Sequence, residues 1–514
     1  MIDRLDELKT QFTRESARRI QRLVAQLSRK IINDTDSLLR YHETLLFLLA
    51  YPQNAGIARA VERELRGFAS RVDALRQQDV DLTPLEHPEV SGIAGLPVID
   101  TFSFYIVRWL AQRHPSQIDI YWEWFEDENR LAETWPRFMP LLEEDAFVEA
   151  NVPYREWLRA ARGSSSEVVW LIDRLNKLPR PENERAELYD SQQLYVRWTP
   201  GFSDSRTGMR VAARKLFYHR GPLIQRRDID LTHELVQPPP SLQKLTLRQG
   251  EKAIDVARAA STIRYRELYG FTHGDPKHVY RAELGRGVEL FLIGLPPDKR
   301  LPLRAYHAAM IYKNGVPIGY FEGLSLFERM ESGFNLYYTF REGETAWLYA
   351  RTLNVMHHFT GVTAFSLDPY QIGFENEEGI ESGAFWFYRK LGFRPTRRET
   401  LRVAQKEEEK IVARKGYRTS AATLRRLAES PMIFELDLAR RGDWDSFQVR
   451  KIGFKAQRQK QTGLAAVLSL IPRLGERRLL ERIVRAKSGE EERTYLRLMQ
   501  RHEQLRSEII KIGS

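Results

Sequence analysis

The segment AYHAAMIYKNGVPIGYFEGLSLF, residues 305–327, constrains the fold more than any other part of the chain. Two runs rich in Ala, Val, Ile, Tyr and Phe flank the dipeptide Asn314–Gly315. This dipeptide fits a tight antiparallel turn because both of its residues can adopt positive φ. The segment therefore predicts a β-hairpin, and the similar runs at 287–295 and 332–340 predict further strands beside it.

Strand and helix patterns alternate after the hairpin. Residues 362–367 and 431–438 read as strands, and the charged segment 405–430 reads as a helical insertion. From the hairpin onward, the predicted order is three strands, a helix, a strand, a helix, a strand, the insertion and a last strand. A mixed sheet flanked by helices in this order is an α/β layer architecture.

The first helix in this order is predicted at residues 344–361. Thr345 is its expected N-cap and Gly361 its expected stop. Its apolar residues recur three and four apart, which places them on one stripe of the helix. They are Ala346, Ala350, Leu353 and Met356.

The first 235 residues have a helical pattern with few strand signals. Segments 15–31 and 55–75 carry apolar residues three and four apart with charges between them. Three consecutive prolines at 238–240 then favour a stiff extended connection. The sequence predicts four parts, which are an all-α domain at 1–235, a Pro-rich linker at 236–249, an α/β domain at 250–438 and a basic helical tail at 439–514.

Composition excludes several kinds of chemistry. The 514 residues contain no cysteine, which rules out disulfides, thiolate metal sites and cysteine nucleophiles. The longest apolar run, LLFLLAY at 45–51, is too short to span a bilayer, and the chain starts without an apparent signal peptide. We therefore expect a cytoplasmic protein without a transmembrane segment. His357 and His358 fit a helix C-terminus better than a metal site, so no metal is expected.

A short motif precedes the predicted strand at residue 393. Ala384, Tyr388, Leu391, Gly392 and Phe393 realise the pattern Ala-x-x-x-Tyr-x-x-Leu-Gly-Phe at a helix-to-strand junction. With the strand and helix order around it, this motif resembles the GNAT superfamily of acyltransferases over residues 250–438. The resemblance implies a mixed, mostly antiparallel sheet flanked by helices, which opens between the strands at 332–340 and 362–367. It also implies that an acyl-CoA co-substrate lies in this opening and gives its acyl group to an amine.

The resemblance assigns the acyl-CoA pyrophosphate to the loop before the helix at 344–361. The family's loop reads Arg or Gln, two residues, Gly, one residue, then Gly or Ala, and the backbone N–H groups of a helix N-terminus hold the anion. Glu344 stands at the position of a family glycine, where a carboxylate would repel a pyrophosphate. The candidate cofactor-binding residues are Arg341, Gly343, Thr345 and Ala346.

Two residues are candidates for proton transfer. Glu322 alternates with apolar residues on a predicted strand, and burial would raise its pKa toward that of a general base for the amine. The alternative is a solvated position or an ion pair with an arginine. Tyr388 matches the family tyrosine that protonates the departing thiolate, and the alternative is that its ring only packs in the core.

Polar residues near the predicted opening are candidates for binding the amine substrate. Asn335 lies on the strand before the loop, and the acidic segment 375–378 could attract a cationic amine. Glu381 follows at a position where the family usually has Asn. A pleat position for Asn335 and a solvated turn for the acidic segment are the alternatives. The candidate substrate-binding residues are Asn335, Asn376 and Glu381.

The formal charge of +11 favours acidic partners. Residues 446–475 contain no acidic residue, so their cations are not compensated locally. RNA or an anionic membrane surface could bind there, and a solvated helix face is the alternative. The candidate anion-binding residues are Arg450, Lys451, Lys455, Arg458 and Lys460.

Three functions are consistent with these patterns. The first is an N-acyltransferase that uses an acyl-CoA thioester. The second is an acyl or aminoacyl transferase that uses a bulkier donor such as a charged tRNA. The third is a catalytically silent scaffold of the same fold that binds nucleic acid or protein.

Overall fold

The chain forms two compact units. The computed structural model describes residues 1–139, 145, 151–486 and 491–514. The first unit comprises Met1–Ala212 with Asp255–Thr272, and the second comprises Ala213–Ile254 with His273–Ser514. No helix among the described residues is long and apolar enough to cross a membrane.

The first unit is mainly helical, as predicted, but it is not all-α. Three short strands, β1 (Val98–Asp100), β2 (Ile118–Ile120) and β3 (Val196–Trp198), form an antiparallel sheet in the order β1-β3-β2. Strands of three residues are too short to show an alternating pattern, which is why the sequence did not reveal them. The main helices are Ile2–Leu8, Arg14–Leu27, Thr35–Ala50, Ala55–Arg66, Phe68–Arg76, Phe104–Arg113, Asn129–Thr134, Tyr154–Ala161, Glu167–Asn176, Glu182–Asp190 and Tyr269–Thr272.

A nine-stranded sheet forms the centre of the second unit. Its order is β11-β12-β10-β9-β8-β7-β6-β5-β4, and every neighbouring pair is antiparallel except β9 and β10, which are parallel. The prediction of a mixed α/β fold with a mostly antiparallel sheet is confirmed. The strands are β4 (Leu242–Lys244), β5 (Val279–Gly285), β6 (Val288–Ile293), β7 (Ala305–Lys313), β8 (Val316–Leu326), β9 (Arg329–Leu336), β10 (Ala364–Leu367), β11 (Arg394–Pro395) and β12 (Met432–Glu435).

Helices pack against this sheet and continue to Gly513. The helix Leu247–Thr262 contains the point at which the chain passes from the second unit to the first. The other helices are Leu231–Val236, Thr345–Thr360, Glu377–Glu381, Ala384–Arg389, Arg398–Ala413, Ala421–Ala428, Val449–Gln457, Gly463–Ser469, Leu474–Ala486, Glu492–Gln500 and Glu503–Gly513.

The predicted hairpin is confirmed. β7 and β8 pair antiparallel, and the turn residues Asn314 and Gly315 have φ of 50° and 81°. The helix predicted before the strand at residue 393 is instead two short helices, Glu377–Glu381 and Ala384–Arg389. Gly383 lies between them with φ of 68°, a conformation that interrupts a right-handed helix.

The predicted domain boundaries need correction, because the segments on both sides of the α/β domain belong to the second unit. Ahead of the prolines, the Phe217 backbone N–H donates to Asn314 Oδ1 at 2.8 Å. The Asn354 Nδ2 group donates to the carbonyl oxygens of Leu235 and Gln237 at 3.2 and 2.9 Å. In the tail, Arg506 pairs with Glu328 at 2.5 Å. Polar contacts this far apart in sequence could not be read from local composition.

The two faces of the sheet differ at β8 and β9. The face that carries Phe321 and Phe334, here called the helix face, is covered by the helix Thr345–Thr360, whose Tyr349 ring lies 5.0 Å from that of Phe334. The opposite face, here called the open face, carries Glu322, Gly333 and Asn335. Along β9 the residues on the open face are only half-buried, whereas those on the helix face are buried. Ligands can therefore reach β9 and Glu322 on β8 from the open face, whereas Ile318 and Tyr320 on the same face of β8 are buried.

Gly361 ends the helix Thr345–Thr360, and we expect its replacement by Ala to destabilise the second unit. Its φ is 79°, and an added Cβ would lie 2.7 Å from Gln500 Oε1. The left-handed conformation alone costs an L-residue about 1–2 kcal/mol. The Gln500 side chain would also have to shift, which would disturb the hydrogen bonds that its Nε2 donates to the Phe327 and Thr360 carbonyl oxygens. Denaturant unfolding measures the loss. Gly416→Ala is the control, because Gly416 has φ of 83° with no atom within 4 Å of its Cβ position, and it should lose less.

Candidate active site

The sheet opens between β9 and β10. These parallel strands pair only through Ala364–Arg329, Phe365–Met330 and Ser366–Glu331. β10 ends at Leu367, whereas β9 continues to Leu336 and stays paired with β8. The alternation of the antiparallel ladder directs the backbone groups of Phe334 away from β8, toward the side from which β10 has diverged. An extended ligand could therefore hydrogen-bond to this edge of β9.

Glu322 lies on the open face beside this edge. Its cross-strand partner on β9 is Gly333, which has no side chain to cover the carboxyl group. The Tyr306 hydroxyl donates a hydrogen bond to Glu322 Oε1. Burial raises the pKa of Glu322 above its ordinary value, and the Tyr306 hydrogen bond opposes this shift. A half-buried carboxyl group with a raised pKa has the character of a general base.

Asn335 and two tyrosines continue the polar part of the open face. Asn335 Nδ2 donates to the Tyr320 hydroxyl at 3.2 Å, and the Tyr320 ring lies 6.4 Å from that of Tyr337. Gln371 approaches from the segment after β10, with its Nε2 3.7 Å from the position of a Cβ on Gly333. Sequence reasoning selected Asn335 but missed Tyr306 and Gln371. Tyr306 had a detectable signal, since it shares the face of Glu322 in the predicted hairpin.

Tyr388 lies on the helix side of the sheet and is not brought together with Glu322. Its ring contacts Tyr349 at 5.5 Å, Phe387 at 5.1 Å and Phe393 at 5.8 Å, and it is 5% exposed. Burial raises the pKa of its hydroxyl well above the ordinary value of 10. These contacts give Tyr388 a packing role, and the proton-donor role remains a prediction.

Glu344, at the position of a family glycine, points into the protein. It is fully buried, pairs with Arg286 at 2.5 Å and lies 3.6 Å from Lys313 Nζ. Its Oε1 also accepts a hydrogen bond from the Ile224 backbone N–H at 3.1 Å. Burial lowers the pKa of Lys313 to about 7, although Glu344 opposes the shift. The Glu344 carboxylate is thus neutralised inside the unit and does not repel an anion at the loop.

The other loop residues are arranged around the start of the helix Thr345–Thr360. The helix begins without a side-chain cap, and Thr345 is its first residue rather than the predicted N-cap. Its hydroxyl donates to the Arg341 carbonyl oxygen at 3.0 Å. Ala346 is buried in the first turn, and Gly343 donates its backbone N–H to the Phe340 carbonyl oxygen at 3.0 Å. The uncapped first turn presents backbone N–H groups to an anion.

The Arg341 side chain is already engaged. Its Nε donates to the Leu336 carbonyl oxygen at 3.2 Å, and its guanidinium pairs with Glu378. A pyrophosphate at this loop would bind mainly to backbone N–H groups, unless Arg341 exchanges its partner.

The acidic segment after β10 is a capped, ion-paired turn. Asn376 is the N-cap of the helix Glu377–Glu381, with Oδ1 accepting from the Gly379 N–H at 3.2 Å and Nδ2 donating to Tyr370 O at 2.9 Å. Glu377 pairs with Arg425 at 2.6 Å. Glu381 is exposed at the end of this helix. The side chain of Asn376 therefore has a structural role, which leaves Glu381 as the exposed candidate.

The five basic candidates divide into two groups. Lys451 donates to Ser514 O at 2.8 Å and Lys455 to Ile512 O at 2.6 Å, which is favourable at the C-terminal end of the helix Glu503–Gly513. The other three, Arg450, Arg458 and Lys460, are exposed and form no ion pair with any residue that the structure describes.

The histidines at the end of the helix Thr345–Thr360 have local partners. His357 Nδ1 lies 2.6 Å from the Val362 carbonyl oxygen, and His358 Nε2 lies 3.0 Å from that of Gln237. Within the described ranges of the chain, no group of three or more His, Cys, Asp or Glu side chains is arranged to hold a metal ion.

Comparisons with protein-family models, with curated proteins and with solved structures find no match for the chain. The function is therefore inferred from the opening between β9 and β10, from Glu322 on the open face and from the uncapped helix start at Thr345.

Proposed function

We propose that the second unit is a GNAT-like N-acyltransferase that moves an acyl group from an acyl-CoA thioester to an amine. One observation carries the proposal. The parallel strands β9 and β10 pair through three residue pairs and then diverge, while β9 continues along β8 to Leu336. In the family that the sequence resembles, the acyl thioester lies in such an opening between strands. Both the unpaired edge of β9 and the uncapped helix start that follows it support a donor in this place.

The proposed acceptor side is the open face. Glu322 would take the proton of the attacking amine, for which an ionised carboxylate of raised pKa is suited. Asn335 and Tyr320 lie on the same face and would orient the amine. Tyr388, buried on the opposite side of β9, would protonate the thiolate only if the sulfur reaches the helix face through the opening.

Acyl-CoA binding tests this proposal directly. A ligand that binds only the folded state at about 100 times its Kd stabilises it by ~2.7 kcal/mol. We therefore expect acetyl-CoA or longer acyl-CoAs to raise the Tm by roughly 5–10 °C, with a shift that grows with ligand concentration. Differential scanning fluorimetry of the full chain measures it.

Thr345→Asp is the discriminating variant for this experiment. An acidic residue in the first turn favours the helix itself, so the fold should be retained, but it would repel a pyrophosphate at the N–H groups. Thr345→Asn is the matched neutral control and should keep most of the shift. If no acyl-CoA shifts the Tm of the wild-type chain, acyl-CoA is not the donor.

A charged tRNA is a second candidate donor, because Arg450, Arg458 and Lys460 are exposed and have no ion-pair partner among the described residues. Cations of this kind suit phosphate contacts. Binding of tRNA that weakens steeply with salt, without any acyl-CoA shift, would favour this donor over acyl-CoA. If the chain binds nucleic acid but transfers an acyl group from neither donor, the result would favour a catalytically silent scaffold.

A further inference from the structure

A cavity lies in the second unit, away from the opening between β9 and β10. It has a volume of about 470 Å³ and is bordered by Arg329 on β9 and Ser366 on β10. Arg329 stands at the end where β9 and β10 are paired, opposite the end at which they diverge. The segment 442–448 and Lys451 of the helix Val449–Gln457 form the other side of the cavity. Its volume is within the range of small-molecule sites.

The charges around this cavity are predominantly positive. Arg329, Arg397, Arg398 and Lys451 line it, together with one carboxylate, Asp445. That carboxylate is already neutralised, since Asp445 forms two hydrogen bonds with the guanidinium of Arg394, at 2.8 and 3.0 Å. The cavity therefore holds several positive charges with little compensation, which favours an anion.

Arg329 gives the strongest evidence for a ligand. Its side chain is 11% exposed, and its guanidinium lies 5.8 Å from the Trp444 ring and 5.4 Å from the Phe447 ring. Its ion-pair partner is Glu331 at 3.6 Å, beyond hydrogen-bond distance, and Glu331 also faces Arg304 at 4.0 Å. Burial lowers the pKa of the Arg329 guanidinium, while Glu331 and Asp368 oppose the shift.

A guanidinium has five N–H donors. The Arg329 guanidinium donates a hydrogen bond to none of the residues that the structure describes. A nearly buried positive charge without hydrogen-bond acceptors destabilises the folded protein, unless a bound anion accepts hydrogen bonds from it. Arg397 and Arg398 are exposed and form no ion pair with the described residues, so both can turn toward such an anion. Lys451 donates to Ser446 O and Ser514 O, and it contributes charge at the rim.

We propose that this cavity is a binding site for a small phosphate-bearing molecule, with Arg329 at its floor and Arg397, Arg398 and Lys451 around its mouth. Arginine forks match phosphate oxygens in a bidentate geometry, and the Trp444 and Phe447 rings hold the Arg329 fork in place. A small molecule is favoured over a nucleic acid strand or a membrane surface because the Arg329 guanidinium is recessed beneath the surface. This site is independent of the proposed acyl transfer.

Isothermal titration calorimetry of the full chain with inorganic pyrophosphate tests this site. We expect saturable binding to the wild-type chain, weakened on the order of 100-fold in the double variant Arg397→Gln/Arg398→Gln, since each arginine supplies a charge-assisted hydrogen bond. Arg414→Gln is the matched control, because Arg414 caps the other end of the same helix and is exposed. Its affinity should change by less than about twofold.

Arg329→Gln should abolish binding, and circular dichroism shows whether this variant folds. Arg397 and Arg398 are exposed, so the double variant tests the site even if Arg329→Gln does not fold. Parallel titrations with single-stranded RNA and with phosphatidylserine vesicles test whether the site instead binds a nucleic acid strand or a membrane surface. Three outcomes would each overturn the proposal. The first is that pyrophosphate does not bind, and the second is that the double variant and the Arg414 control lose the same amount of pyrophosphate affinity. The third is that RNA or vesicles bind through Arg397 and Arg398 while pyrophosphate does not.

Discussion

Replacing Glu322 by Gln is expected to lower the rate of the proposed acyl transfer to an amine by about 10²–10⁴-fold, the usual contribution of a general base. Gln keeps the size of the side chain and can still accept the Tyr306 hydrogen bond, but it cannot take a proton. The rate of this transfer by the wild-type chain should rise with pH as Glu322 ionises, with a midpoint above the ordinary pKa of glutamate. The variant should lack this part of the profile. Measurement of kcat/KM against pH, with the acyl-CoA and amine that bind best, checks both statements.

Loss of stability would not explain such a result. A carboxyl group whose pKa is raised by folding contributes stability at pH values below its unfolded pKa, and this contribution is lost as the pH rises through its folded pKa. At neutral pH the Gln variant should therefore be at least as stable as the wild type. Glu283→Gln is the control, since Glu283 lies exposed on β5 of the same sheet and should leave the rate unchanged. Full activity in the Glu322 variant would exclude the base role.

The parts of the fold that could be predicted are those encoded by short segments. The Asn314–Gly315 turn carries its own conformational preference, and Gly361 ends its helix because it can adopt positive φ. β5 was not predicted, although Ala282 and Leu284 alternate with the more polar Arg281 and Glu283 in the usual pattern of a half-buried strand. This alternation is the sequence signal that indicates β5.

The parts of the candidate site that could not be predicted depend on contacts between distant segments. Glu344 looked like a damaged phosphate loop, but Arg286 and Lys313, from two other strand ends, hold it inside the unit. Likewise, no sequence motif marks Arg329. The cavity beside it is formed in part by residues 442–448, which are distant from β9 in the sequence. Nothing within a short window of sequence indicates either arrangement.

Replacing Glu344 by Gln should destabilise the second unit by about 3–5 kcal/mol, because the buried Lys313 and the half-buried Arg286 would lose their shared carboxylate. Gly, which the GNAT loop pattern has at this position, should be no better tolerated, since it also removes the acceptor of the Ile224 N–H. Denaturant unfolding of the full chain, followed by a probe of the second unit, measures the loss. Glu342→Gln is the matched control, because Glu342 is exposed in the same loop, and it should change stability by less than about 0.5 kcal/mol.

The pH dependence of this loss identifies its cause. Lys313 has a pKa of about 7 in the folded protein, below its unfolded value, so it contributes stability that is present above the unfolded pKa and is lost as the pH falls through 7. At pH about 9, the folded variant can hold Lys313 neutral, and only Arg286 then lacks a counter-charge. At pH about 6, Lys313 in the folded variant must either stay charged without the Glu344 carboxylate or release its proton, and both cost folding free energy. Arg286 lacks its counter-charge at this pH as well. The destabilisation by Glu344→Gln should therefore be larger at pH 6 than at pH 9. An equal loss at both values would mean that Glu344 acts through its hydrogen bonds alone and does not neutralise Lys313.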